Sequence, residues 1–319
     1  MTKSLTSPST IVLSKLRHFS SASDAGLEAS KAAVDVGPLL TRLNANLDTL
    51  VRVQEGTLGI CFTVRVGARP CFLKSYATDE GRGALEKEIT LLGAAYAGRL
   101  RVAGIECGNR LWMVMDVLDR PGAAAGVEDV LKTISRYEEH LSPSVHGARM
   151  RPDDNMSSLM READIALERM ASRNLIGRDV ARQVETHLHR LEQSLKSMST
   201  VVCHGDLGPA NLMCNEDGWV AVDWEDAFLG VEGYDFLYWL TFFDNRRHLG
   251  DHVFGLTPWP REVDVAMLTM IVLLKCDLSV RAGRVAGNTL TFDQRLGEML
   301  ALDRSGVFRA HTDTSGISR

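Results

Sequence analysis

The sequence predicts an α+β fold of two lobes, a small antiparallel-sheet lobe followed by a larger and mainly helical lobe. Alternating β-rich runs are concentrated between residues 49 and 118, whereas helical spacing of apolar residues dominates the rest of the chain. With 319 residues, 45% of them hydrophobic, the chain is long enough to form two cores. We therefore predict an N-terminal extension at 1–48, the sheet lobe at 49–118 and the helical lobe at 119–319.

Residues 1–48 are expected to be loose at first and helical later. The beginning is rich in Ser and has no acidic residue before Asp24, a composition that also fits an organellar transit segment. Asp24 is a candidate helix N-cap, and Gly37-Pro38 is expected to interrupt the helical pattern. One helical face is predicted to hold Leu39, Leu40, Leu43 and Leu47.

Three alternating runs, a helix and a hairpin make up the sheet lobe. The first three runs are separated by turn residues and predict an antiparallel meander, and Gly108-Asn109 is a typical hairpin turn between the last two. The strands are predicted at 49–53, 60–66, 71–74, 102–106 and 111–118, with a helix at 83–96 between the third and the fourth. Beyond them, helical patterns cover 127–141 and 157–197, and short strands are expected around Val201 and Val220.

The segment from His204 to Asn211 carries the clearest chemical signal. It sets Asp206 and Asn211 five residues apart on a predicted loop, and Asp223 follows at the end of an apolar strand. Phosphoryl transfer from ATP needs one carboxylate to orient the accepting hydroxyl, together with an amide oxygen and a second carboxylate to hold Mg²⁺. Asp206 is therefore the candidate catalytic residue, and Asn211 and Asp223 are the candidate metal ligands. His204 is expected to brace the loop by hydrogen bonds.

A lysine and a glutamate near the third strand are candidates for an ion pair that binds nucleotide. Lys74 ends the strand, where its ammonium would reach phosphate oxygens if a partner fixed its stem. Glu88, in the following helix, is the expected partner because apolar residues that should pack on the sheet follow it. Glu86 lies on a different helical face and is the competing choice.

Two further segments are expected to contact the nucleotide. Gly56 and Gly59 lie between the first two strands, where backbone N–H groups would form an anion-binding nest; a plain hairpin turn explains them equally well. In a kinase, the backbone of the segment 113–118, which ends the fifth strand and contains Asp116, Val117 and Leu118, would form the hinge at the adenine edge. A buried strand is the alternative for that segment.

Charge and cysteine usage exclude several classes of function. The net charge of −5, without a basic stripe, argues against a nucleic-acid or membrane partner. The six cysteines form no C-x-x-C pair, which favours reduced thiols in a cytoplasmic protein. Between Lys196 and Arg246 the chain has no Lys or Arg but many acids, which is expected to require a cation or a cationic substrate.

Three motifs resemble the aminoglycoside phosphotransferase family, which is related to choline kinases and similar in fold to protein kinases. They are the segment 204–213, the segment 222–227, and Gly233-Tyr234-Asp235-Phe236, in the family's order and spacing. The resemblance implies a two-lobed protein kinase-like fold and the roles given above, and it adds Asp235 as a structural support of the loop that contains Asp206. It does not extend to residues 127–200 or to the first fifty residues.

We therefore expect an ATP- and Mg²⁺-dependent kinase that phosphorylates a hydroxyl of a small molecule. The acidic residues favour an aminoglycoside or another amino-bearing acceptor. A sugar or amino-alcohol kinase is the alternative within this class, and a pseudokinase that binds nucleotide without turnover is the alternative outside it. Oligomeric state, the acceptor and the choice between ATP and GTP stay open.

Overall fold

The computed structural model describes residues 34–53, 59–76, 81–250, 253–284 and 290–309. These residues group into two compact units, and the chain passes between the units three times. The first unit contains residues 34–150 and 209–227, and the second contains residues 151–208 and 228–309. Each predicted domain is one contiguous range, whereas each unit is made of separate ranges of the chain. The predicted domains cannot be matched to the units one by one, so 1–48, 49–118 and 119–319 stay a prediction.

A five-stranded antiparallel sheet forms the centre of the first unit and confirms the predicted sheet. Its strand order is β1-β2-β3-β5-β4. The strands are β1 (Ala45–Val53), β2 (Gly59–Val66), β3 (Arg69–Tyr76), β4 (Val102–Cys107) and β5 (Arg110–Asp116). Gly108, with φ of 63°, makes the tight turn between β4 and β5.

Most strand boundaries differ by a few residues from the sequence predictions, and two of these differences change the assignment of a segment. Strand β5 ends at Asp116 rather than at residue 118, because the chain then pairs elsewhere: Asp119 and Cys214 exchange two backbone hydrogen bonds of 2.8 and 3.0 Å. Strand β1 begins at Ala45, so Leu47 belongs to a strand and not to a helical face, and it is exposed.

The helix before β1 corrects a second expectation. Helix α1 (Gly37–Leu43) begins at Gly37-Pro38 instead of being interrupted there, because proline fits the first turn of a helix, where its missing N–H is not needed. Asn44 takes a left-handed conformation, with φ of 49°, and ends the helix. Leu39 and Leu40 pack into the core of the sheet with Leu73. The candidate cap Asp24 lies outside the described residues.

Helix α2 (Arg82–Ala95) packs against β4 and β5 and matches the helix predicted at 83–96. The unit also contains α3 (Val127–Glu138), α4 (Pro143–His146), and the hairpin of β7 (Leu212–Asn215) and β8 (Gly218–Ala221). Arg136 of α3 donates to the backbone oxygens of Trp219 and Asp217, which fixes the helix against the hairpin.

Helices dominate the second unit. They are α5 (Met156–Ser172), α6 (Arg178–Leu195), α7 (Tyr234–Leu240), α8 (Arg261–Arg281) and α9 (Phe292–Arg309). The continuous helical pattern predicted at 157–197 is two helices, because Asn174 takes a left-handed conformation between them. Strands β6 (Thr200–Cys203) and β9 (Phe228–Val231) form a short antiparallel pair. Helix α8 is buried along most of its length and contacts α5, α6, α7 and α9.

Residues 265–274 form a mostly apolar run, and this run lies in the buried part of helix α8. Among the helices in the described part of the chain, none is long and apolar enough to cross a membrane.

We expect Gly233→Ala to destabilise the second unit more than Gly283→Ala does. Both glycines have left-handed φ, 84° and 67°, which costs an L-residue about 1–2 kcal/mol. Only at Gly233 would the added Cβ also lie 3.0 Å from a carbon of Thr257, whereas the space around Gly283 is open. Urea denaturation of both variants measures the difference. Equal losses of unfolding free energy would show that the Thr257 contact relaxes at no cost.

Candidate active site

Asp235 ties the loop after β6 to helix α7 in the second unit. Its carboxylate accepts hydrogen bonds from the backbone N–H groups of His204, at 2.7 Å, and Gly205, at 3.0 Å. Asp235 lies in the first turn of α7 and is 3% exposed. A carboxylate that accepts two buried N–H groups fixes the path of the loop, because releasing them would leave two donors unsatisfied.

His204 contributes to the same loop from inside it. The side chain is fully buried, and its Nδ1 accepts the backbone N–H of Asp206 at 3.3 Å. The imidazole therefore bonds to a local turn of the backbone, and its role as a support of the loop stays a prediction.

Asp206 lies at the centre of a small polar cluster in this unit. Its Oδ1 accepts the hydroxyl of Tyr238 at 2.7 Å, and the residue is buried. The sequence analysis did not identify Tyr238, which lies on α7 one helical turn after Asp235. That one-turn spacing was the available signal, since residues three apart share a helix face.

A second residue that the sequence analysis missed is Lys275 of α8. Its Nζ donates to Oγ1 of Thr241 at 2.7 Å and lies 3.7 Å and 3.8 Å from the ring centroids of Tyr238 and Phe242. Burial lowers the pKa of Lys275 to about 7, while the charge of Asp206 acts in the opposite direction. A lysine at the end of a long apolar run was the signal for this site, because such a position is rarely occupied by a charge that has no partner.

In the first unit, Lys74 lies between two carboxylates. Its Nζ is 2.7 Å from Oε2 of Glu88 and 2.6 Å from Oδ1 of Asp223. Burial acts to lower the pKa of Lys74, but Asp223 and Glu88 outweigh it and hold that pKa well above the usual value. Burial raises the pKa of Glu88 to about 7, against the attraction of Lys74.

Of the two candidate glutamates, Glu88 is therefore the ion-pair partner of Lys74. Glu86 lies on the exposed face of α2 and pairs with Arg82. The apolar residues after Glu88 turn its side of the helix towards the sheet, where Glu88 is 2% exposed.

Three more contacts join β3 and α2 to the segment 221–227. The hydroxyl of Tyr76 donates to Glu225, and Nζ of Lys87 donates to the backbone oxygen of Ala227 at 2.8 Å. The hydroxyl oxygen of Tyr96 accepts the backbone N–H of Ala221 at 2.7 Å. The segment that contains Asp223 is thus anchored to the sheet and its helix at several points.

The two candidate metal ligands lie next to each other at the open end of the β7–β8 hairpin. The backbone oxygen of Asn211 accepts the N–H of Val222 at 2.9 Å, which sets Asn211 beside the start of the Asp223 segment. Asp223 has φ of 69° and ψ of 60°, a left-handed conformation that is uncommon for residues other than glycine and is typical of functional turns.

This donor set fits a magnesium ion. An amide oxygen and a carboxylate are the hard oxygen ligands that Mg²⁺ prefers, and Mg²⁺ usually takes only one or two protein ligands beside waters and phosphates. In the described ranges, no group of three or more His, Cys, Asp and Glu residues could hold a metal by itself. The pair Asn211 and Asp223 is suited to a metal shared with a phosphate.

The remaining predicted residues fall in three places. Gly59 begins β2, and a Cβ there would lie 3.5 Å from Cε of Lys74, whereas Gly56 lies outside the described residues. Asp116 ends β5, and its Oδ2 accepts hydrogen bonds from N and Nε of Arg101. Val117 and Leu118 follow without regular structure. The roles of these residues at a nucleotide stay predictions.

A broad cavity of about 910 Å³ lies elsewhere in the second unit, lined by residues of α5 and α6 and by Asp293. It contains none of the predicted site residues. Its lining mixes exposed acidic and basic side chains, and nothing in it resembles the chemistry of the Asp206 cluster.

The sequence profile of the family described as "Phosphotransferase enzyme family" (APH) matches residues 64–254. A search of curated proteins gave no match. Among solved structures, a thermostable mutant of aminoglycoside phosphotransferase APH(4)-Ia, in ternary complex with ADP and hygromycin B, is 14% identical. The likeness covers 85% of this chain and 99% of that one, with a TM-score of 0.55.

Two other structures extend the comparison. Macrolide 2′-phosphotransferase MphH from Brachybacterium faecium is 13% identical, with a TM-score of 0.56, over 92% of this chain and 100% of that one. Choline kinase from Cryptosporidium parvum Iowa II is 11% identical, with a TM-score of 0.50, over 83% of this chain and 92% of that one. At such identities the likeness is one of fold, and it confirms the two-lobed protein kinase-like α+β fold.

We expect Glu88→Ala to lower the free energy of unfolding by about 2–3 kcal/mol, because it removes one of the two carboxylates that pair with the buried Lys74 in the described part of the chain. The matched control is Glu86→Ala on the same helix, whose exposed pair with Arg82 is worth under about 1 kcal/mol. Urea denaturation of both variants gives the comparison. If the Glu86 variant lost as much stability as the Glu88 variant, the claim that the buried ion pair stabilises the fold more than the exposed one would be wrong.

Proposed function

The chain belongs to the phosphotransferase enzyme family, and from this membership we propose that it transfers the γ-phosphate of ATP to a hydroxyl of a small molecule with the help of Mg²⁺. The observation that carries the proposal is the buried arrangement of Lys74 between Glu88 and Asp223, with Asn211 beside the Asp223 segment. A cation held between carboxylates of different elements, next to oxygen donors for a metal, suits a triphosphate.

Each residue of the first unit has a distinct part in this proposal. Lys74 would bind phosphate oxygens, and Glu88 would hold its flexible stem in place. Asn211 and Asp223 would hold Mg²⁺, which, when bound, neutralises charge on the β- and γ-phosphates. The left-handed turn at Asp223 directs its carboxylate while the neighbouring contacts keep the segment rigid.

In the second unit, Asp206 would orient the accepting hydroxyl. An ionised carboxylate accepts several hydrogen bonds at once, so the bond from Tyr238 is compatible with a second one from an acceptor. In a loose transition state, positioning of the nucleophile matters at least as much as removal of its proton. Asp235 and His204 support the loop that fixes this position.

The acidic residues after Lys196 no longer favour a cationic acceptor. The sequence suggested that they need a cation, but several are neutralised or bonded within the protein. Asp223 pairs with Lys74, Glu225 accepts from Tyr76, and Asp235 accepts from the loop backbone. Because these charges are satisfied within the protein, the acidic composition does not favour an aminoglycoside or another amino-bearing acceptor over a sugar.

A cytoplasmic location is part of the proposal. All six cysteines are free thiols, as expected for a reducing compartment that also supplies ATP. The pseudokinase alternative is disfavoured because Lys74, Asp206, Asn211 and Asp223 are all retained. Nucleotide binding without phosphate transfer to any acceptor in a broad library of sugars, amino alcohols and antibiotics would favour that alternative.

We expect Asp206→Ala to keep ATP binding but to lower kcat by about 10²–10⁴-fold, the range typical of a positioned carboxylate. Calorimetric titration with Mg²⁺ and ATP measures binding, and transfer of radiolabelled phosphate measures turnover. Near-normal turnover in this variant would show that Asp206 is not the catalytic residue.

We expect Asp223→Ala to lose Mg²⁺-dependent ATP binding, the step before phosphate transfer, because the substitution removes the charged metal ligand. Asp217→Ala, in the turn of the same hairpin, is the matched control and should bind Mg²⁺ and ATP normally. Binding of ATP that is equally strong with Mg²⁺ and with a chelator in the wild-type protein would contradict the metal assignment.

A further inference from the structure

Lys275 lies in the same unit as Asp206, and the proposed chemistry has not used it. Its ammonium lies against the faces of two aromatic rings, 3.7 Å from the centroid of Tyr238 and 3.8 Å from that of Phe242. The hydroxyl of Thr241 donates to the backbone oxygen of Tyr238 at 2.6 Å and so accepts the hydrogen bond from Lys275. Two rings and one hydroxyl thus form a defined cation site, and a side chain of the protein fills it.

Tyr238 connects this cation site to Asp206. One face of its ring contacts Lys275, while its hydroxyl donates to Oδ1 of Asp206 at 2.7 Å. The charge of Asp206 also acts directly on the ammonium of Lys275. Desolvation of a lysine is costly, so the presence of Lys275 on this largely buried helix indicates a use for the charge at this position.

We propose that Lys275 is a specificity-determining residue: it fills the cation site beside Asp206 and thereby selects an acceptor without an ammonium group next to the hydroxyl that is phosphorylated. This inference rests on the proposed function. It names the acceptor class as a neutral or anionic hydroxyl compound, such as a sugar or a sugar acid.

Two physical effects favour a neutral or anionic acceptor. The protonated form of Lys275 predominates below its pKa of about 7, and there an acceptor ammonium near Asp206 would meet a like charge, which repels it strongly in a partly desolvated site. The ring faces that would otherwise attract a ligand cation are occupied by Lys275. A neutral acceptor avoids the repulsion, and an anionic acceptor gains attraction from the same lysine.

The first test compares acceptors that differ by one group: a neutral sugar, its amino-sugar counterpart and its sugar acid. For the wild-type protein we expect kcat/KM to be about tenfold to a hundredfold higher for the neutral or acidic compound than for the amino sugar. Lys275→Met keeps the bulk of the stem without the charge and should reduce that ratio about tenfold, whereas Lys275→Arg should preserve it. A wild-type preference for the amino sugar, or a ratio unchanged in Lys275→Met, would overturn the proposal.

The second test does not depend on turnover. Lys275→Ala removes the part of the side chain that propylammonium resembles, so millimolar propylammonium should raise the melting temperature of this variant. It should have little effect on the wild-type protein or on Lys196→Ala, which removes an exposed lysine of the same unit. Neutral 1-propanol is the control ligand, and rescue of a poorly folded Lys275→Ala by propylammonium alone leads to the same conclusion.

The two tests distinguish failure of the proposed function from failure of the proposed cation site. If ATP binds but phosphate reaches none of the acceptors, the proposed function fails while the propylammonium result still decides whether a cation site exists. If propylammonium and 1-propanol act equally on all three proteins, the cation site is wrong whatever the enzyme phosphorylates.

Discussion

The ammonium of Lys74, held between the carboxylates of Glu88 and Asp223, is the interaction on which the first unit depends. The three charges come from a strand, a helix and the segment after a hairpin, so the ion pairs tie these three elements together. A buried lysine without carboxylates, or two carboxylates without the lysine, would be strongly unfavourable. The ion pairs that join these elements therefore also set the positions of the candidate phosphate-binding lysine and of one candidate metal ligand.

The second unit also contains a buried carboxylate, and it is stabilised in a different way. Asp206 is buried, and Tyr238 contacts both Asp206 and Lys275, the lysine whose charge acts on it. A hydroxyl donor holds the carboxylate in one orientation without removing its ability to accept further bonds. Asp223 pairs directly with Lys74. Asp206 instead accepts a hydrogen bond from Tyr238, which suits a carboxylate that also has to bind a substrate.

Local patterns predicted much of this arrangement. The alternation of β2 and β3, the helix that follows them and the loop from His204 to Asn211 could be read from spacing alone, because each is determined by neighbours in sequence. Contacts between distant segments could not. Lys275 is remote in sequence from Asp206, and the apolar run that precedes it carries no local sign of a polar partner. The helix start at Gly37-Pro38 was misjudged because proline both begins and interrupts helices, and packing of Leu39 and Leu40 decides which occurs.

Gly208 connects the loop that contains Asp206 to the cation site that Lys275 fills. Its N–H donates to the backbone oxygen of Asp206 at 2.7 Å, and a Cβ at this position would lie 2.6 Å from the ring of Phe242, which is one of the two rings that contact Lys275. Any larger residue at 208 would displace that ring. Homologous sequences should therefore show coupled substitution among these three positions during evolution, with the lysine of α8 lost wherever the glycine or the aromatic residue has been replaced.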